Sequence, residues 1–171
     1  MWIPLGMSDG SVEPVAPETS PPVGFAGGLV SWTLVLGRSP NIYAVLQDFE
    51  AFPSGVRCVL RARFRPGAFN PLGSFPGTPG GAHIAVTFAD GRTGTVGPGP
   101  REIQPGDIVF NYFGGGGSGH EWTMHLWLSP LPPAGPLTFN IGWPEKDAPV
   151  TSVMVEAAEL VEAAEHAERL W

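Results

Sequence analysis

Between residues 107 and 127 the chain gathers most of the side chains that could do chemistry. Ser118, His120, Glu121 and His125 follow a run of four glycines, Gly114–Gly117. A hydrolytic triad would use Ser118 as nucleophile, His120 as base and an acid such as Asp107 to orient it, because triads are defined by geometry and not by chain order. The nucleophile elbow G-x-S-x-G is not met: His120 stands where its last glycine belongs, and a strand is expected to follow, not a helix. Gly114-x-Gly116-x-x-Gly119 matches the letters of a dinucleotide fingerprint. That fingerprint needs a strand before it and a helix after it, and any glycine run satisfies the spelling. A Walker-type lysine is missing as well, since Lys146 is the one lysine of the sequence.

His120, Glu121 and His125 are also the weak candidates for holding a metal, with His83 joining from elsewhere. A zinc site in a β protein wants two ligands on one strand face, commonly at i and i+2. His120 and His125 are five apart and point to opposite faces, whereas Glu121 and His125 share a face with Thr123 between them. The expectation is that no metal or other cofactor is bound and that these are solvent-face residues.

Arg57, Arg61, Arg63 and Arg65 recur at odd positions in a chain whose formal charge is −7. Like charges in a row repel, so something must offset them. Acids on flanking strands or in the C-terminal tail would do it within the molecule; an anionic patch on a partner, or a carboxylate or phosphate ligand, would do it from outside. Trp127 shares a strand face with Glu121, Thr123 and His125. Such a ring could stack a sugar or anchor a protein, or simply be covered by the tail or by a proline-rich loop. Cys58 falls on an apolar strand face and is expected to be an inert buried thiol. Binding residues, if the chain binds through this region, are Arg57, Arg61, Arg63, Arg65, His125 and Trp127.

The elements that must position these residues are strands. Val56–Phe64 alternates most clearly, with Val56, Cys58, Leu60, Ala62 and Phe64 inward and the arginines outward. Leu29–Leu36 reads as one strand with Val30, Trp32, Leu34 and Leu36 inward, and Ile42–Phe49 as the next, closed by a turn at 51–55. His83–Phe88 and Thr93–Val96 flank an Asp90-Gly91 hairpin. Ile108–Phe113 precedes a flexible glycine loop at 114–119. Glu121–Leu128 points Trp122, Met124, Leu126 and Leu128 inward, and Leu137, Phe139, Ile141 and Trp143 line the strand before Pro144. A short strand is expected near 150–155. The one convincing helix is Glu156–Leu170, where alanines, Leu160, Leu170 and Trp171 fall in an arc of roughly 140°; docked on the body, it would use Leu160 and Trp171 as anchors.

Strands separated by turn signals every eight to twelve residues, with no βαβ alternation, predict a mainly β fold. The expected form is an antiparallel β-sandwich, immunoglobulin-like or jelly-roll-like, with a C-terminal amphipathic helix. Residues 1–28, with five prolines, read as a flexible tail, 29–155 as the sandwich and 156–171 as the docked helix. Met7 is an alternative start to Met1.

With 43% hydrophobic residues, six tryptophans and ten phenylalanines, 171 residues suffice for one core. An acidic chain argues against nucleic acid as a partner. The single cysteine leaves no intrachain disulfide. No basic-then-apolar leader and no apolar run of membrane-spanning length is present, so a cytoplasmic setting away from membranes is expected. The run Gly114–Gly117, then Trp122 and Trp127, the segment Leu131–Leu137, Trp143-Pro144 and the alanine-rich tail ending in Leu170-Trp171 resemble a family of hypothetical β-rich proteins from high-G+C bacteria. The resemblance covers 29–171 and implies a shared fold without an activity. The function expected is a non-enzymatic protein-interaction or binding module, with a protein or a second copy as partner. The alternatives are a hydrolase or metal-dependent enzyme built on the 114–120 loop and a carbohydrate-binding sandwich using Trp127.

Overall fold

The computed structural model describes residues 16–67, 76, 81–97, 102–144 and 148–171. In chain order the strands are β1 (Phe25–Ala26), β2 (Gly28–Val30), β3 (Leu34–Arg38), β4 (Ile42–Phe52), β5 (Gly55–Phe64), β6 (His83–Thr87) and β7 (Thr93–Thr95). They continue with β8 (Val109–Gly117), β9 (Glu121–Ser129), β10 (Pro136–Trp143), β11 (Ala148–Glu156), the helix α1 (Ala158–Ala164) and β12 (Glu168–Arg169). The fold is mainly β, as the alternation predicts, and among the described residues no barrel closes.

Two antiparallel sheets hold the core between them. One runs β2-β4-β5-β9-β8, with β3 also paired to β4; the other runs β11-β10-β6-β7. The period of two decides which side chains meet. Val56, Cys58, Leu60, Ala62 and Phe64 of β5, and Trp122, Met124, Leu126 and Leu128 of β9, are all buried against Ile84 and Val86 of β6 and Phe139, Ile141 and Trp143 of β10. Aromatic rings join the layers: Phe64 meets Trp143 edge-on at 5.9 Å, Trp122 meets Trp143 at 6.3 Å and Phe49 meets Phe139 at 6.0 Å. Each such ring removed from water contributes about 1.5–3 kcal/mol. The Asp90-Gly91 hairpin forms as expected, with Gly91 at φ +88° and the Phe88 N–H donating to the Arg92 carbonyl at 2.8 Å.

Four expectations need correcting or refining. The run Leu29–Leu36 is split into β2 and β3, with residues 31–33 unpaired. Its partner β4 bulges between Gln47 and Glu50, with Asp48 at φ +55°, so one straight neighbour cannot follow it. The glycine run is strand, not loop: Gly114–Gly117 pair with His125, Met124, Thr123 and Trp122. A Cβ at Gly115 would sit 2.2 Å from the Thr123 carbonyl oxygen, so the lack of side chains is what lets β8 lie against β9.

The expected helix 156–170 is seven residues long. Glu156 ends β11, and its carboxylate accepts the Gly135 and Ala158 N–H groups at 2.7 and 3.0 Å. Beyond Ala164 the chain turns back, and Phe25 and Ala26 of β1 pair with Arg169 and Glu168 of β12. Leu160 is fully buried and serves as the anchor; Trp171, expected beside it, is 79% exposed. Last, part of the predicted tail is built into the body: Glu18 and Thr19 lay backbone carbonyls on the six-stranded sheet, and β1 and Gly28 belong to sheets. Residues 1–15 and most of the 66–81 loop lie outside the described residues. No helix among the described residues is long and apolar enough to cross a membrane.

Candidate functional site

Every candidate binding residue of β5 and β9 lies on the outer face of the six-stranded sheet, but they do not form one site. Register shows why. Across β2, β4, β5, β9 and β8 the rows read Leu29–Glu50–Arg57–Trp127–Asn111, then Gln47–Val59–His125–Gly114, then Val45–Arg61–Thr123–Gly116. A fourth row, from β3, reads Arg38–Tyr43–Arg63–Glu121. Arg57 and Arg63 are therefore about 20 Å apart along β5.

Trp127 is fully buried. Its ring packs with Phe52, at 6.0 Å between centroids, and with Val109 and Ile103, and its Nε1–H donates to the Glu18 carbonyl at 2.9 Å. Asn111 beside it donates to the Thr19 carbonyl at 3.3 Å. The chain near residues 18–19 thus covers the ring, which has no face free for a sugar or partner. Ile103, a neighbouring strand and the N-terminal stretch supply the cover, where the C-terminal helix or a proline-rich loop was expected.

Arg57 is offset from within. Its guanidinium pairs with Glu50, whose other carboxylate oxygen accepts the Gly27 N–H at 2.9 Å. Arg61, Arg63 and Arg65 are exposed. Among the described residues none of the three has a carboxylate within 4.0 Å, although Glu121 stands opposite Arg63 in register.

A concavity of about 570 Å³ opens where β2 and β3 leave β4 unpartnered beside the bulge. Its rim carries the exposed Leu29, the Arg57–Glu50 pair, Gln47 and His125, with Val59 as floor and Trp32 as one wall. Trp32, expected wholly inward, is half-buried: its ring meets Phe49 edge-on at 5.1 Å and its Nε1–H donates to the Glu159 carboxylate of α1 at 3.0 Å. His125 lies beside the Phe113 ring, 5.9 Å between centroids. Sequence reasoning missed Gln47, Glu50 and Trp32 here. Only the position of the bulge brings them to Arg57 and His125, and no residue spacing announces that bulge.

The residues of the enzyme alternatives are dispersed. Asp107 precedes β8 and accepts the Gln104 N–H at 3.0 Å, whereas Ser118 and His120 follow β8, about 30 Å away along the strand. Ser118 and His120 are exposed at the β8–β9 turn. Glu121 and His125 share a face as expected but stand about 13 Å apart along β9, and His83 belongs to the other sheet, across the core. Among the described residues no three His, Cys, Asp or Glu side chains converge on a point where a metal would sit. Cys58 is buried, and desolvation pushes its thiol well above the usual range, which keeps it protonated and unreactive.

No family model matches the sequence, and no curated protein or solved structure matches the chain.

Proposed function

We propose that the chain is a non-enzymatic protein-binding module, in a cytoplasmic setting, that reads its partner through the cleft on the outer face of the six-stranded sheet. The observation that supports this reading is the makeup of the cleft. An exposed leucine, a half-buried tryptophan and a valine floor stand beside Gln47, His125 and the Arg57–Glu50 pair. Apolar surface with a few convergent polar groups is what a partner side chain and its backbone require. A hydrolytic reading lacks the acid that would orient its base, because Ser118 and His120 share the exposed β8–β9 turn while Asp107 lies at the other end of β8. The carbohydrate reading loses its platform in the burial of Trp127.

The test is native mass spectrometry on protein purified under mild conditions, comparing wild type with Val59→Lys and His125→Glu. A bound protein, or a second copy, that is retained by the wild type and lost from both variants is the expected result. Retention in both variants, or an uncomplexed chain in the wild type, overturns the proposal.

A further inference from the structure

We infer that the corner where β3 ends and β4 begins is a binding site for the phosphate group of a small phosphate monoester. The site lies at the far end of the outer face from the cleft and does not rest on the protein-binding reading.

The argument starts from register. Arg38, Tyr43 and Arg63 are direct neighbours in one row across β3, β4 and β5. Adjacent strands are spaced by about 4.8 Å, so the two arginine backbones are about 10 Å apart, a gap that two extended arginine side chains close on one small anion. Arg65, two residues beyond Arg63, brings a third guanidinium, and its backbone N–H donates to the Asn41 carbonyl at 2.8 Å. That bond ties the end of β5 to the 39–42 turn. The turn is itself braced: the Ser39 N–H donates to the Ile42 carbonyl at 2.9 Å, and the Ser39 hydroxyl oxygen accepts the Ile42 N–H at 3.2 Å. The Arg38 guanidinium stands over the Tyr43 ring, 5.4 Å from its centroid. Packing on the ring limits its rotamers without neutralising its charge.

Together these residues line a concavity of about 250 Å³ whose wall contains no acid. In a chain of net charge −7, three arginines line one concavity with no carboxylate within 4.0 Å of any of them among the described residues. Their mutual repulsion is relieved by an anion bound among them. A phosphate monoester carries nearly two negative charges at neutral pH and offers three oxygens, which suits several guanidinium forks; a carboxylate offers one charge and two oxygens. The concavity is smaller than the usual range for drug-sized ligands, which fits a headgroup better than a folded partner. The acidic body argues against a nucleic-acid backbone.

The experiment is a titration of phenyl phosphate into the full chain in low-salt, phosphate-free buffer, following the Nε–Hε signals of the eight arginines by NMR. Saturable shifts confined to Arg38, Arg63 and Arg65 are expected. Affinity should fall about tenfold in Arg63→Gln and again in Arg38→Gln, since each removes a charge-assisted bond, and should be unchanged in Arg92→Gln, whose guanidinium pairs with Asp90. All three substitutions are at exposed or half-exposed positions, and thermal melts check that each variant is folded. Benzoate binding as tightly as phenyl phosphate would overturn the phosphate assignment in favour of carboxylate. A phosphoserine peptide or phosphatidic acid vesicles binding at least tenfold tighter than phenyl phosphate would overturn the small-molecule assignment. Non-saturating shifts spread over all eight arginines would overturn the site.

Discussion

The outer residues of β5 show how one repeated side chain acquires different environments. Arg57 meets Glu50, held by the Gly27 N–H, while Arg61 faces Val45 and Thr123, and Arg63 faces Tyr43 and Glu121. The difference lies entirely in which strand residues register opposite. Cys58, one position along from Arg57, points the other way and is 1% exposed. Burial raises its thiol pKa in the folded state. The neutral thiol is therefore favoured by folding below the unfolded value near 8.5, and that contribution is lost as pH rises beyond it. In the native protein at pH 8, Cys58 should not react with Ellman's reagent, and one thiol should appear when guanidinium unfolds the chain. Reaction at full rate without denaturant would contradict its burial.

At the scale of elements, α1 is seven residues long and cannot persist by propensity. It holds because Leu160, Ala163 and Ala164 are buried against β2 and β4. The fit at β2 is backbone on backbone: a Cβ added at Gly28 would lie 1.8 Å from the Ala163 carbonyl oxygen. Gly28→Ala should lower stability by about 1–3 kcal/mol, since helix or strand must shift to admit it. Chemical denaturation of the variant with an unchanged slope measures this directly, and an unaltered midpoint would mean that α1 does not seat there. The helix expected over 156–170 failed at the same scale. The alanine face is present to residue 164, but the pairing of β12 with β1 outcompetes a further helical turn.

Across the whole molecule, stability rests on rings that bridge the two sheets. Trp143 of β10 is 1% exposed and contacts Phe64 of β5 and Trp122 of β9. Trp143→Ala should cost about 3–5 kcal/mol, because it leaves a void between layers that cannot collapse without moving a strand. Calorimetry should show the loss as a single cooperative transition at lower temperature; two separated transitions would mean that the sheets unfold independently.

What the sequence by itself determined is the set of side chains that face inward. Alternation along 56–64, 83–88, 121–128 and 137–143 places correctly the residues buried between the two sheets, because a strand's period of two depends on local backbone geometry alone. It does not place Trp127 and Val59, which are buried on the outer face. The sequence also determined the outward direction of Arg57, Arg61, Arg63 and Arg65. Tertiary structure alone decided what those outward residues meet. The bulge at Asp48 splits β2 from β3 and opens the cleft; the register of β3 on β4 sets Arg38 beside Tyr43 and Arg63; and the chain at Glu18 covers Trp127. Each is a contact between residues far apart in the chain. Such contacts are set by pairing register and by the competition of distant segments for one surface, and neither leaves a period that can be read along the sequence.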